Sequence, residues 1–264
     1  MKTTHNQLTS GEKMKKILLT TAIVMTAASA FAADIKICVE GAFPPFSQTE
    51  ADGTVTGFDI DIANALAADM GKTAEMVKVD WDGIIPALLE KKCDAIIASM
   101  SITPERQEVV TFSKKYSQGS NGFVGKKGTK LADIGSLNIG VQRSTNHQKF
   151  VEETYPDAKV TLYGTQDEAL LDLTNGRIDV VAGDIPQMAD SFLKTDEGAD
   201  YEWVENADVT VPAIHGEGSG VAVRKEETEL ADAFTASIAN IRASGEYDEI
   251  SDKYFEVNAY GAEQ

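Results

Sequence analysis

Long apolar runs are nearly missing from this chain of 264 residues. The one candidate, Ile17 to Ala28, is too short to span a bilayer, and no other stretch approaches the length a membrane helix needs. Cations are also scarce: 24 Lys and Arg stand against 42 Asp and Glu, a net charge of -18. Such a surface repels nucleic acid and favours solubility. The three histidines, His5, His147 and His215, lie too far apart in sequence to form a metal-ligand spacing. No nucleophile elbow, P-loop or zinc motif occurs. The glycine-rich Gly216-Glu217-Gly218-Ser219-Gly220 lacks G-x-G-x-x-G spacing and leads into a strand, so it reads as a turn. No cofactor and no metal are expected. There are only two cysteines, Cys38 and Cys93. If their strands are parallel neighbours, Cys38 lies late in one and Cys93 before the other, which places the sulfurs at opposite ends of the sheet. Two separate buried thiols are therefore expected.

What is present begins with Met14-Lys15-Lys16, the apolar segment, and the small-x-small site Ala30-Phe31-Ala32, together a secretory signal with cleavage expected near Ala33. Residues 1–32 are excluded from the fold. This leader holds four lysines and one glutamate, so the net charge of -18 becomes -21 without it. The remaining residues alternate strand and helix patterns. Strands are expected at Ile35 to Val39, Ala74 to Val79 and Cys93 to Ala98, with helices at Asp59 to Met70 and Asp82 to Glu90. A second block follows the same scheme: strands at Leu137 to Val141, Lys159 to Tyr163 and Ile178 to Gly183, with helices at Asn146 to Tyr155 and Asp167 to Asn175. Laid without gaps over Asp167 to Asp184, the segment Asp82 to Ser99 matches Asp82 with Asp167, Leu88 with Leu173, Asp94 with Asp179 and Ser99 with Asp184.

Alternation of this kind implies an α/β fold of two lobes, each a mainly parallel sheet flanked by helices. Ligands of such sheets bind beyond the carboxyl ends of the strands, so Ser99 and Asp184 should face one cleft from two sides. The glycine-containing run Tyr116 to Gly122 and a return near Val209 to Ala213 supply two hinge crossings. The expected lobes are residues 33–117 with 212–264, and residues 118–211. The segment Asp94 to Arg106 is the centre of the design. A short apolar strand delivers Ser99 and Ser101, then Thr103 caps a helix opened by Pro104 and Glu105, with Arg106 in its first turn. Hydroxyls and a guanidinium so placed suit a two-pronged grip on a small carboxylate.

The runs Gly57 to Met70 (GFDIDIANALAADM), Ala98 to Gln107 (ASMSITPERQ), Val141 to Thr145 (VQRST) and GRID followed by Asp184 together resemble the periplasmic amino-acid-binding proteins of ABC importers, solute-binding protein family 3. The resemblance covers essentially all of the chain after the leader and points to the branch binding lysine, arginine, ornithine, histidine and opines. It implies the type II periplasmic-binding-protein fold, hinge closure, a periplasmic location, a monomer, and an ABC permease as partner. Residue by residue, it implies that Arg106 holds the ligand α-carboxylate, that Ser99 and Ser101 contact the amino and carboxylate groups with Met100 between them in the site, and that the turn Ser144-Thr145 completes the carboxylate grip. Asp184 would receive the α-ammonium, Phe43 and Trp81 would wall the side-chain slot, and Glu40 would meet a distal cation. Arg143 falls near the expected cleft, where it would counter Glu40, and Phe43 lacks the hydroxyl that some relatives carry there. The alternatives are a cyclohexadienyl-dehydratase-like enzyme on the same fold, which needs a cleft acid with a raised pKa, and a sensory amino-acid receptor domain.

Overall fold

The computed structural model describes residue 1, residues 34–206 and residues 208–261. The expected leader and cleavage site lie outside the described residues. The chain opens with β1 (Asp34–Val39), a small antiparallel sheet of β2 (Ala42–Phe43), β3 (Ser47–Thr49) and β4 (Val55–Thr56), then α1 (Phe58–Asp69), β5 (Thr73–Lys78), α2 (Ile84–Leu89), β6 (Ala95–Ile96), α3 (Pro104–Val109) and β7 (Val110–Ser117). It continues through β8 (Asn121–Lys126), β9 (Asn138–Gln142), α4 (Asn146–Thr154), β10 (Lys159–Tyr163), α5 (Gln166–Thr174), β11 (Val180–Asp184), α6 (Ile185–Met188) and β12 (Tyr201–Trp203). The last elements are α7 (Pro212–His215), β13 (Ser219–Arg224), α8 (Thr228–Ser244) and α9 (Glu246–Tyr254).

Two five-stranded sheets result, in the orders β5-β1-β6-β13-β7 and β10-β9-β11-β8-β12. In each, three strands pair in parallel and the fourth pairs antiparallel with both its neighbours. The reversed strand has a simple cause. Strands of both sheets end at the shared cleft, and the chain passes from one sheet to the other there. The first strand laid down after each crossing, β8 on the way out and β13 on the return, must therefore start at the cleft and run away from it. The fold is the two-lobed, mainly parallel α/β arrangement with two crossings.

Alternation along the strands divides each lobe into two apolar layers. Ile35, Ile37 and Val39 of β1 face the layer of Phe58, Ile62, Leu66, Phe234 and Ile238, whereas Cys38 faces the layer of Ile84, Leu88 and Ile96 under α2. In the second lobe Val180 and Ala182 pack with Phe123 and Phe150, while Val181 packs with Leu170, Met188 and Phe192.

The repeat read from the sequence has structural counterparts. Asp94 accepts the backbone N–H of Lys36 at 2.9 Å, and its match Asp179 accepts that of Asn138 at 2.8 Å. Lys91 and Gly176, also partners in the overlay, both turn the chain with left-handed φ, 62° and 67°.

The cysteine reading is corrected: Cys38 and Cys93 form a disulfide, with Cα atoms 5.6 Å apart. The expectation treated Cys93 as the foot of a long strand, Cys93 to Ala98. The strand is only Ala95–Ile96, in register with Ile37 and Cys38. Cys93 lies on the approach from α2, in the layer that Cys38 faces, and both sulfurs are buried there with Ile84 and Leu88. Sheet and helix layer, not the two ends of a sheet, are what the bridge joins.

Candidate ligand-binding cleft

Arg106 is placed by the local signals that its sequence carries. Thr103 accepts the backbone N–H of Arg106 at 3.3 Å, Pro104 occupies the first turn of α3, and Glu105 follows. The side chain then folds back: its guanidinium donates to the Ser101 carbonyl at 3.1 Å and lies 5.2 Å from the Trp81 ring centroid. Burial lowers its pKa to about 10, so it remains a cation at neutral pH.

Two carboxyls also line the cleft. Glu40 follows β1 and is 4% exposed, with burial raising its pKa to about 7. It accepts from Nε2 of Gln142 at 2.6 Å, a bond that joins the lobes. Asp184 ends β11 and caps α6, accepting the Gln187 backbone N–H at 3.1 Å, and burial raises it to about 7. Gly119 of the first crossing lies so near that a Cβ there would come within 2.9 Å of Asp184 Oδ2.

These groups line one cavity of about 620 Å³, its open mouth included. Of the residues expected from the sequence, Glu40, Phe43, Trp81, Ser99, Ser101, Arg106, Thr145 and Asp184 all line it. Phe43 is backed by Phe46, whose ring is stacked 5.4 Å away, and Trp81 is fixed by its indole N–H, which donates across the lobes to the Ser144 carbonyl at 3.1 Å. Two expected residues lie elsewhere. Met100 is fully buried in the layer holding the disulfide, while its neighbours Ser99 and Ser101 line the cavity. Ser144 is exposed, with a left-handed φ of 60°, and its N–H is taken by Gln148.

The structure adds residues that the motifs did not supply. Asn146, beside the expected turn, donates to Ser101 Oγ at 3.0 Å across the cleft and to the His215 carbonyl at 3.2 Å. His147 contacts Asn121 Oδ1 at 2.6 Å, and its ring centroid is 6.0 Å from that of His215. Burial holds both rings neutral: it takes His147 down to about 3, with the neighbouring His215 and Arg106 adding to the effect, and His215 to about 4. Among the described residues no group of three or more His, Cys, Asp or Glu is arranged to hold a metal ion. Asn121 and Thr210 sit on the two crossings, so the hinge itself floors the cleft. Arg143 does not reach Glu40: it pairs with Asp82 at 2.5 Å across the mouth of the cleft.

Comparison with known proteins places this geometry. The profile of the bacterial extracellular solute-binding proteins, family 3, matches residues 35–257. The chain belongs to this family. Among its curated relatives, the L-arginine-binding protein of Pseudomonas aeruginosa is 42% identical over 259 residues, covering 94% of this chain and 100% of the relative. The ABC transporter arginine-binding protein 1 of Escherichia coli is 36% identical over 245 residues, 92% and 99% of the two chains. Among solved structures, a Salmonella typhimurium periplasmic binding protein described for its high arginine specificity superposes with a TM-score of 0.79 at 31% identity, over 85% of this chain and 100% of that one.

Proposed function

We propose that this protein captures a basic amino acid, of the arginine, lysine, ornithine or histidine class or an opine built on one, and delivers it from the periplasm to an ABC permease. The observation that carries this reading is the charge balance of the cleft. Its lining holds one cation, Arg106, two carboxyls, Glu40 and Asp184, and two histidines held neutral. A zwitterion satisfies Arg106 and Asp184, and one carboxylate is left over for a second ligand cation. Arg143 does not cancel it, being engaged by Asp82. The ligand that balances the cleft therefore carries net +1. The slot beside Phe43 and Trp81 suits a cation on an alkyl stem, by cation-π contact worth about 0.5 to 2 kcal/mol.

The disulfide agrees with an oxidising, exported setting, and the names of the relatives agree with transport. In this reading the lobes, residues 33–117 with 212–264 and residues 118–211, turn about the two crossings as a monomer closes on its ligand. A thermal-shift screen of the common amino acids tests it. A ligand at a hundredfold excess over Kd adds about 2.7 kcal/mol of stability. Stabilisation by basic amino acids alone supports the reading, and stabilisation by neutral or acidic ones alone overturns the basic class. The carboxyls raised to about 7 also keep a second reading in view, a lyase that needs a cleft acid. Mass analysis after incubation separates the two, because a binding protein returns its ligand unchanged.

A further inference from the structure

Behind the cleft wall is a carboxylate that touches no part of the cavity. Asp59, in the first turn of α1, is fully buried. Its partners are two hydroxyls: Ser99 Oγ, at 2.9 and 3.2 Å from its two oxygens, and Tyr116 Oη at 2.8 Å. Tyr116 Oη also accepts the Ser99 backbone N–H at 2.8 Å, so its single proton is directed to Asp59. The Ser99 carbonyl is fixed in turn by Ser219 Oγ at 3.0 Å. All this holds Ser99 at φ 48°, a left-handed conformation that costs a residue with a side chain on the order of 1 kcal/mol or more. A strained backbone held from three sides suggests that the orientation of this serine matters.

The consequence is one of polarity. A carboxylate accepts and cannot donate, so the one proton of Ser99 Oγ is committed to Asp59 and only lone pairs remain on the side that lines the cleft. We propose that Asp59 is a positioning residue: it makes Ser99 a hydrogen-bond acceptor towards the ligand, so that Ser99 and Asp184 together form an acceptor-only site for the α-ammonium and reject ligands that bear a hydroxyl there. The placement of Asp59 at a helix N-terminus favours the ionised form that this requires, against the burial and the nearby Asp184 that raise its pKa to about 7. The inference rests on the amino-acid reading of the cleft and goes further, giving an unlined residue a role in selectivity.

The test compares L-arginine with its α-hydroxy analogue by calorimetry at pH 8. The wild-type protein should prefer the amine by at least a hundredfold. In Asp59→Asn the amide donates to Ser99 Oγ and turns its proton into the cleft, and the preference should fall by tenfold or more. In a Ser99→Gly background, which accepts the left-handed φ, Asp59→Asn should change the ratio no further. A ratio unchanged in Asp59→Asn, or changed as much without the Ser99 hydroxyl, overturns the proposal. Should Asp59→Asn not fold, Ser99→Gly alone must lower the ratio tenfold, and an unaltered ratio overturns it equally. A ligand-free readout keeps this apart from the ligand assignment: carbon NMR titration of Asp59 should give a higher pKa in Ser99→Gly than in wild type, and an unmoved titration refutes the hydroxyl donation even if no arginine binds.

Discussion

At the scale of single residues the cleft is an arrangement of buried charges that are incompletely paired within the protein. Arg106 spends one N–H on the Ser101 carbonyl, and burial outweighs the pull of neighbouring Glu105 on its charge. Arg106→Ala should therefore cost roughly 2 to 5 kcal/mol of ligand binding while leaving the ligand-free fold intact; wild-type affinity in a folded variant would remove Arg106 from the site. Glu40 is the complementary case. Burying it against the pull of water raises its pKa to about 7, so Glu40→Gln should stabilise the ligand-free protein above neutral pH while weakening basic ligands by about 1.5 to 3 kcal/mol and neutral ones far less. Calorimetry with arginine and glutamine decides it, equal losses being the contrary result. Arg106 could be read as a candidate from its strand, cap and first-turn pattern, whereas Glu40 came only with the family resemblance. Met100 came in with a contiguous motif, but its side chain lies in the core while those of Ser99 and Ser101 line the cavity. Asn121, His147 and Asp59 were hidden for another reason, as each reaches its place through a partner distant in sequence: Asp208 and Thr210, His215, and Ser99.

At the scale of elements, most strands and helices of the repeat fall within a residue or two of where periodicity put them, since amphipathic spacing and caps such as Thr145 and Thr165 are local signals. Among the strands that escaped notice, β7 and β8 carry lysines and glycines that blur alternation, and they exist because partner strands from elsewhere in the chain supply their hydrogen bonds. The disulfide was missed for want of the same long-range information. It closes a loop with a sequence separation of 55 and ties β1 to the approach of β6 under α2. On chain entropy alone a loop of that length contributes about 4 kcal/mol to stability. Replacing both cysteines by alanine should thus lower the denaturation midpoint by an amount equivalent to roughly 2 to 4 kcal/mol, with ligand affinity near that of wild type because the sulfurs face away from the cleft. A variant as stable as the parent would show that the α2 layer holds β1 and β6 together without the bridge.

At the scale of the molecule, the lobes are joined over the cleft by a small set of bonds: Gln142 to Glu40, Trp81 to the Ser144 carbonyl, Asn146 to Ser101, and the ion pairs Arg143 to Asp82 and Lys149 to Glu105. The two ion pairs are solvent-exposed, where such contacts contribute at most about 1 kcal/mol each. Closure therefore depends on what lies in the cleft, and its pH dependence follows from the carboxyls there. Glu40, Asp59 and Asp184 each have a folded pKa near 7, well above their ordinary values of 4.5, 3.8 and 3.8. Between about pH 4 and 7 the folded, ligand-free protein then binds more protons than the unfolded chain. Its stability from these groups is complete at the low end of that window and is lost as pH rises through 7. A basic ligand reverses the sign. Its ammonium at Asp184 and its side-chain cation at Glu40 favour the ionised forms, so binding near pH 6 must expel the protons those carboxyls hold. The expected outcome is release of one to two protons per ligand at pH 6, read from calorimetry in buffers of differing ionisation enthalpy, and almost none at pH 8.5. Affinity should strengthen from pH 6 to 8 by roughly tenfold for each carboxyl that titrates, and in Glu40→Gln one of those factors should vanish. Proton uptake on binding, or an affinity flat across this range, would mean that the ligand makes no contact with the buried carboxyls.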